Sequence, residues 1–371
     1  MGKWEYIQFN DAIDDVTKYA TKIKKEEYLN QGDYQIIDQG KDSIGGYVCS
    51  PDGLYEDVPV IVFGDHTRVF KYVESPLFIG ADGVKLLKVK HNDLNVRFVY
   101  YYFKSRRVID TGYNRHFKWL KEFEIPLPPI LVQQQIADVL DRASALIEKR
   151  KAQIEKLDLL AKSQFIEMFG DPVTNPKGWD IRRLSEIATS RLGKMLDTKQ
   201  QTGNYRYPYL ANFNVQWFRF DFSELNEMDF NEADRQEFEL KKGDLLVCEG
   251  GEVGRCAIWE EEVKECYFQK ALHRIRCNKE IIIPKYLSRW FQFRSQYNKF
   301  EDIVGQATIA HLPGVKLKKL QIMVPPIYIQ NQFADFIRQI EKQQSLLQQS
   351  LTQLKQNYKS LMQKCFWGEI F

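Results

Sequence analysis

Two long amphipathic stretches dominate the pattern of apolar and polar positions. Between Gln133 and Met168, the residues Ile136, Leu140, Ala143, Ile147, Ile154, Leu157, Ala161 and Met168 fall on alternating four- and three-residue steps. Only Arg150 and Gln164 are polar on that stripe. Such spacing is the seam of a helix that lies along another helix for several heptads. A second stripe, 197 residues on, keeps the same phase: Phe333, Ile337, Ile340, Gln344, Leu347, Leu351, Leu354, Tyr358, Leu361 and Cys365. Each stripe follows a globular-looking segment, so the chain reads as a duplication.

The first such segment, residues 1–125, reads as a mixed α/β domain. An amphipathic stretch from Phe9 to about Ile23 opens it, with turn chemistry at 30–33 and 43–46. Strand-like runs follow at 58–63, 68–73 and 84–89, then a Tyr- and Phe-rich helix over 95–104. Pro126, Pro128 and Pro129 are expected to stop regular structure and set up a helix start. The first spacer segment, 126–170, carries a helix from about Leu131 to Met168, roughly 55 Å long at 1.5 Å per residue. Residues 171–324 form a second domain, in which Trp179, Leu184, Glu186 and Ile187 repeat the spacing of Trp4, Phe9, Asp11 and Ala12. Leu245–Cys248 reads as a buried strand, Glu249–Arg255 as a turn, and 256–259 as the returning strand. LKKLQIMVPP at 317–326 repeats LKEFEIPLPP at 120–129, and 325–371 carries the second spacer helix. If the two helices pack antiparallel, Gly368 returns to Trp4. The expected fold is mixed α/β (α+β): two globular domains and two long antiparallel helices in a pseudo-two-fold, circularly arranged repeat.

Composition narrows the classes. The chain has 371 residues, 44% hydrophobic and 28% charged, which suits two or three soluble domains. No apolar run approaches the ~20 residues that cross a bilayer, and MGKWEYIQFN has no apolar signal-peptide core. We therefore expect a cytoplasmic protein with no membrane partner. The net charge of +3 does not announce a nucleic-acid binder, so any such face must come from local clustering. Four of the six cysteines lie between 248 and 277 at spacings of 8, 10 and 11, which suit buried thiols better than a zinc site.

Catalytic motifs are hard to find. The Gly250–Gly254 run lacks the Gly-Lys-Ser/Thr ending of a phosphate loop, and Asn175-Pro176-Lys177 lacks the second proline and aromatic of a base-gripping loop. There is no H-E-x-x-H and no G-x-S-x-G. Basic and aromatic clusters carry more weight, because Arg and Lys pair with phosphates or guanine edges and Asn with adenine. In the first domain the candidates are Arg68, Lys71, Arg106, Arg107, Arg115 and Lys118. In the second they are Lys199, Tyr205, Arg206, Asn212 and Asn214. A solvated surface role is the alternative for each, as a plain dimerising coiled coil is for the heptad stripe.

Together these features resemble the specificity subunit of type I restriction–modification systems. The resemblance rests on LPPILVQQQIADVL at 127–140 and VPPIYIQNQFADFI at 324–337, on the helix-ending FGD and FWGE, on VFGDHTRVFKYV, IGADGVKLL and GDLLVCEGGEVGRCAIW. It covers essentially the whole chain. It implies that 1–125 and 171–324 are two target-recognition domains, each reading half of a bipartite double-stranded DNA site. It implies also that the helices set the gap between half-sites and dock two methyltransferase subunits. Ile136, Leu140, Ile147, Ile154, Leu157, Phe333, Ile337, Leu347, Leu351 and Leu354 are the candidate seam and docking positions. In such complexes adenine is methylated from S-adenosylmethionine, and restriction/translocase subunits cleave DNA with ATP and Mg. Those cofactors are expected in the partner subunits and none in this chain, which would itself be non-catalytic. A self-contained methyltransferase or nuclease, or a coiled-coil protein without DNA function, are the competing readings.

Overall fold

A computed structural model describes residues 4–109, 112, 114–197, 201–297, 300 and 311–371. The chain divides into two compact units, Met1–Ala152 with Leu347–Phe371, and Gln153–Leu346. Each is mixed α/β.

The first unit opens on β1 (Glu5–Gln8), α1 (Phe9–Ala12), β2 (Ile13–Asp15) and β3 (Lys22–Ile23). The single amphipathic stretch expected from Phe9 to Ile23 is thus broken into a helical turn and two strands. The reason is non-local: β2 pairs antiparallel with a distant strand, Ile13 opposite Val89, while Phe9 and Ala12 are buried in the core. Next come β4 (Tyr34–Ile37), β5 (Gly46–Val48), β6 (Val60–Gly64), β7 (Phe70–Val73), β8 (Leu77–Gly80) and β9 (Val84–Val89). They make two four-stranded sheets, ordered β2-β9-β6-β7 and β3-β8-β4-β5. The first is wholly antiparallel, whereas β8 runs parallel to both β3 and β4. Helix α2 (Val96–Ser105) is capped by Asn95, whose side chain accepts from Phe98 N. After α3 (Phe117–Leu120), β10 (Glu124–Leu127) pairs antiparallel with β1. Pro126 therefore lies inside a strand and does not end regular structure. A two-stranded ribbon has an outer edge where a residue without an N–H is tolerated.

Helix α4 runs from Ile130 to Phe169. The second unit continues with β11 (Asp180–Arg183), α5 (Leu184–Ile187), β12 (Ala188–Leu192), β13 (Arg206–Leu210), β14 (Val215–Gln216), β15 (Arg219–Phe220) and β16 (Asn226–Asp229). Then follow α6 (Glu232–Glu237), β17 (Leu245–Cys248), β18 (Cys256–Ile258), β19 (Tyr267–Phe268), β20 (Leu272–Cys277) and α7 (Pro284–Tyr297). It ends with α8 (Gly314–Lys318), β21 (Gln321–Val324) and helix α9 (Ile327–Phe366). Its topology repeats the first unit. The order β12-β20-β17-β18 matches β2-β9-β6-β7, and β11 pairs with β21 as β1 pairs with β10. The likeness extends to the other sheet, β16-β13-β19, where β13 is parallel to β19 as β4 is to β8. By sequence the domains match only at their edges. By backbone pairing they match in the four-stranded antiparallel sheet, in the ribbon at the helix entry and in the core of the other sheet, which has lost one edge strand in the second unit, where the β14–β15 hairpin is extra.

Both helices contribute to each unit, and in each they run antiparallel. In the first unit Ile136 and Leu140, near the start of α4, share a core with Met362, Cys365 and Phe366 at the end of α9. In the second, Ala161, Phe165 and Phe169 pack with Phe333, Ile337 and Ile340. The seam is as the heptads require: Ile147 and Leu351 are buried, and Ile154, Leu157, Leu347 and Leu354 are half-buried. Gln344, the clearly polar seam residue of α9, donates from Nε2 to Asp158 on α4 at 2.7 Å. Glycine ends both helices in the left-handed region, Gly170 at φ +79° and Gly368 at φ +70°. A Cβ on Gly368 would sit 3.6 Å from Trp4 Cζ2, so the end of α9 does return to the start of the first unit.

Candidate nucleic-acid interface

The Pro-Pro-x-x-x-Gln helix openings act as joints. Gln133 and Gln330 are both 0% exposed. Gln133 donates from Nε2 to Asp93 O (2.7 Å) and Pro128 O (2.8 Å), and its Oε1 accepts from Asn95 N (2.8 Å). Gln330 does the same with Ile281 O (2.9 Å), Pro325 O (2.7 Å) and Ile283 N (3.0 Å). Each glutamine therefore ties the first turn of a long helix to the loop that starts α2 or α7. Two to three turns further in, a carboxylate is gripped from that shorter helix. Asp141 takes Arg97 Nη1 (2.6 Å) and the Tyr101 hydroxyl, and Glu341 takes Lys285 Nζ (2.9 Å). Burial, then Asp141, push the Tyr101 phenol well above its usual range.

On the first unit Tyr101 and Asp141 form part of the wall of an open cleft of about 680 Å³. Arg68, Lys71, Lys104, Arg106, Tyr72 and Tyr100 are among its lining residues. Arg68 ends the β6–β7 turn in the left-handed region, at φ +61°, a conformation that costs a non-glycine residue about 1–3 kcal/mol. Lys71 is only 8% exposed and lies 3.4 Å from Asp38. Burial pushes its ammonium down from the usual range, and Asp38 opposes that. Arg106 is exposed, its guanidinium 4.9 Å from the Tyr102 ring centre. Three candidates, Arg68, Lys71 and Arg106, are thus brought together. Arg107, Arg115 and Lys118 are exposed but do not line the cleft; Lys118 Nζ lies 4.8 Å over the Trp119 ring. The loop carrying Arg115 is pinned by Asp65, whose Oδ1 accepts from His116 N and Phe117 N, each at 2.7 Å.

On the second unit, Tyr205 and Arg206 are exposed where the chain enters β13, and Arg206 Nε is 3.8 Å from Glu227. Buried Asp229 shapes that entry by accepting from Thr202 Oγ1 (2.8 Å), Gly203 N (2.8 Å) and Tyr205 N (3.2 Å). Burial pushes its carboxyl up, but these hydrogen bonds outweigh it and hold the group below the usual carboxylate range. Asn212 donates from Nδ2 to Gly250 O at 3.1 Å, at the β17–β18 turn. Asn214 is buried and committed to its own loop: Oδ1 accepts from Ala211 N, and Nδ2 donates to Asp221 O and Glu224 O. Lys199 lies outside the described residues. Arg255 was not among the candidates, yet it ends the β17–β18 turn as Arg68 ends β6–β7. Setting GDHTR against EGGEVGR as equivalent turns would have found it. Lys104 and Tyr100 were also missed as site residues, though the Tyr-rich helix that carries them was not.

The cysteines do not gather: among the described residues no group of three or more His, Cys, Asp or Glu could hold a metal ion. Nor is any described helix long and apolar enough to cross a membrane.

Two topologically equal α/β modules, each with cationic and aromatic loops and each built on its share of an antiparallel helix pair, define a class of duplicated recognition protein. The chain belongs to the family of the type I restriction modification DNA specificity domain, whose model matches residues 1–156 and again 176–356. It is similar to the EcoBI specificity subunit of Escherichia coli, at 20% identity over 97% of this chain and 85% of that one. It is similar also to the EcoKI specificity subunit of Escherichia coli, at 24% identity over 66% of this chain and 57% of that one. Against three of its curated relatives the chain spans about half to two thirds of their length (65%, 57% and 47%). Among solved structures, the S subunit of a type I system from M. genitalium superposes with a TM-score of 0.59 at 15% identity, covering 98% of this chain and 96% of that one. At that identity the likeness speaks for the fold.

Proposed function

We propose that this chain is the sequence-specific DNA-binding subunit of a type I restriction–modification complex, with each unit reading one half of a bipartite double-stranded site. The observation that carries this reading is the contrast between the units. Backbone topology, glutamine joints and helix seam are repeated, while the side chains on equivalent loops differ, as two readers of different sequences would need. The long helices dock two methyltransferase subunits in this reading. The seam residues are used up by pairing within the chain, which leaves the exposed Leu146, Leu159, Leu160 and Leu346 for partners. Adenine methylation from S-adenosylmethionine, and ATP- and Mg-dependent cleavage by restriction/translocase subunits, belong to those partners, and this chain holds no catalytic group of its own.

The test is methylome sequencing of cells with and without this gene, which should reveal one bipartite motif that disappears with it. With the reconstituted complex, Arg106→Ala and Arg115→Ala on the first unit, and Arg206→Ala on the second, should each weaken DNA binding. A residue that contacts phosphate lowers the salt dependence by about one charge when removed. Unchanged affinity, salt slope and sequence preference in all three would reject the interface. Methyl transfer by the purified chain alone would reject the non-catalytic assignment.

A further inference from the structure

A buried arginine stands between the second unit's helix joint and its loops. Arg289 on α7 is 3% exposed, although its Nε has no hydrogen-bond partner among the described residues. Its Nη1 donates to Gln292 Oε1 at 3.2 Å, and its Nη2 lies 3.8 Å from Glu341 on α9. Glu341 is itself held by Lys285 at 2.9 Å. A guanidinium buried with so loose a pairing costs stability that an apolar side chain of like size would not. What it gains is on its other face, where its carbon centre sits 3.6 Å from the ring centre of Phe218.

Phe218 is the second unusual feature. It turns the β14–β15 hairpin at φ +63°, a conformation that large side chains avoid. Strain of that kind persists only where the surroundings impose it. The hairpin and Asn212 just before it are interlocked with the β17–β18 turn and the start of β18 by four hydrogen bonds. Phe218 N donates to Cys256 O (2.9 Å) and Trp217 Nε1 to Glu252 Oε1 (2.6 Å). Arg255 Nη2 donates to Asn212 O (3.0 Å), and Asn212 Nδ2 to Gly250 O (3.1 Å). Asn212 Oδ1 is buried there without a partner among the described residues, so this side chain serves the packing of the two loops. At the corresponding place on α2 the first unit has Tyr101, which stops at its own carboxylate, Asp141.

We propose that Arg289 is a positioning residue for DNA reading by the second unit: braced on Glu341, it holds through Phe218 the interlocked loops 212–220 and 249–255. The proposal rests on the DNA-reading function above. Because the brace lies within one unit, its loss blurs one half-site and spares the other.

The experiment uses the full complex with methyltransferase subunits and a library of randomised duplexes, reading the selected sequences at both half-sites. Arg206→Ala, at an exposed position on β13, identifies the half-site of the second unit. Arg289→Met, close in length but uncharged, should reduce discrimination against single base changes at that half-site by roughly tenfold, within the range of one lost base contact. The other half-site should keep its selectivity, and Arg289→Lys should restore part of the loss. Phe218→Gly removes the stacked ring while glycine accepts the positive φ, so it should blur the same half-site even if Arg289→Met fails to assemble. Unchanged selectivity in an assembled Phe218→Gly or Arg289→Met complex, or equal loss at both half-sites, would overturn the proposal. If the unaltered complex selects no sequence at all, it is the DNA-reading function that fails.

Discussion

Gln133 shows how much one side chain can hold when every polar atom is used. Its amide closes three hydrogen bonds to backbone groups in a site without solvent access. Replacing it by alanine leaves those groups buried and unpaired, which costs about 1–3 kcal/mol for each group that finds no water. We expect Gln133→Ala and Gln330→Ala each to lower unfolding stability by about 3 kcal/mol in urea denaturation; a loss near zero in both would mean that water repairs the joint. The thiols give a second measure. Burial pushes Cys248 and Cys365 up to about 11 and Cys266 up to about 12, while Cys49 is exposed. A disulfide-exchange reagent at pH 8 should therefore label one thiol quickly and the rest only on unfolding. Since these folded-state values lie above those of the unfolded chain, their stabilising contribution is complete below about pH 8.5 and is lost as pH rises toward 11. At this scale the sequence was partly readable. Arg68, Lys71 and Arg106 share a cleft, but the Gln133 joint and the Arg289 brace depend on partners more than 35 residues away, which no local pattern displays.

Elements were most legible where their signal repeats. The heptad stripe of α4 and α9 gave the phase of the helix pair, but not Phe165, Phe169, Met362 and Phe366, which lie off the stripe and pack into the cores at the helix ends. The Glu249–Arg255 turn and its flanking strands were equally plain. The stretch from Phe9 to Ile23 was not, since β2 and β3 are strands of three and two residues formed only by pairing with β9 and β8. The helices also carry the docking prediction. Leu159 is 61% and Leu346 is 58% exposed, off the seam. Leu159→Asp and Leu346→Asp should leave the fold's melting temperature within a few degrees and yet reduce co-purification with a methyltransferase subunit. A substituted chain that still assembles fully would move the docking surface elsewhere.

For the whole molecule the informative feature is closure. Gly368 lies against Trp4 just as the Gly170 turn leads to Trp179. A permuted chain beginning near Trp179, with a short linker joining the present ends, should fold with the same helical content by circular dichroism. It should also keep the same DNA specificity. Loss of folding with linkers of every length would show that chain order matters beyond proximity. The repeat behind this closure was readable from LPPILVQQQ and VPPIYIQNQ, while the common topology of the two units was not, because it is written in backbone pairing and the side chains there have diverged. The glutamine joints share that property: they grip main-chain atoms alone, at Asp93, Asn95 and Pro128 in one unit and at Ile281, Ile283 and Pro325 in the other. A fitting of this kind is indifferent to what is attached. Its sockets accept any loop of the right shape, so vocabulary can be rewritten in one module without touching the binding of the book.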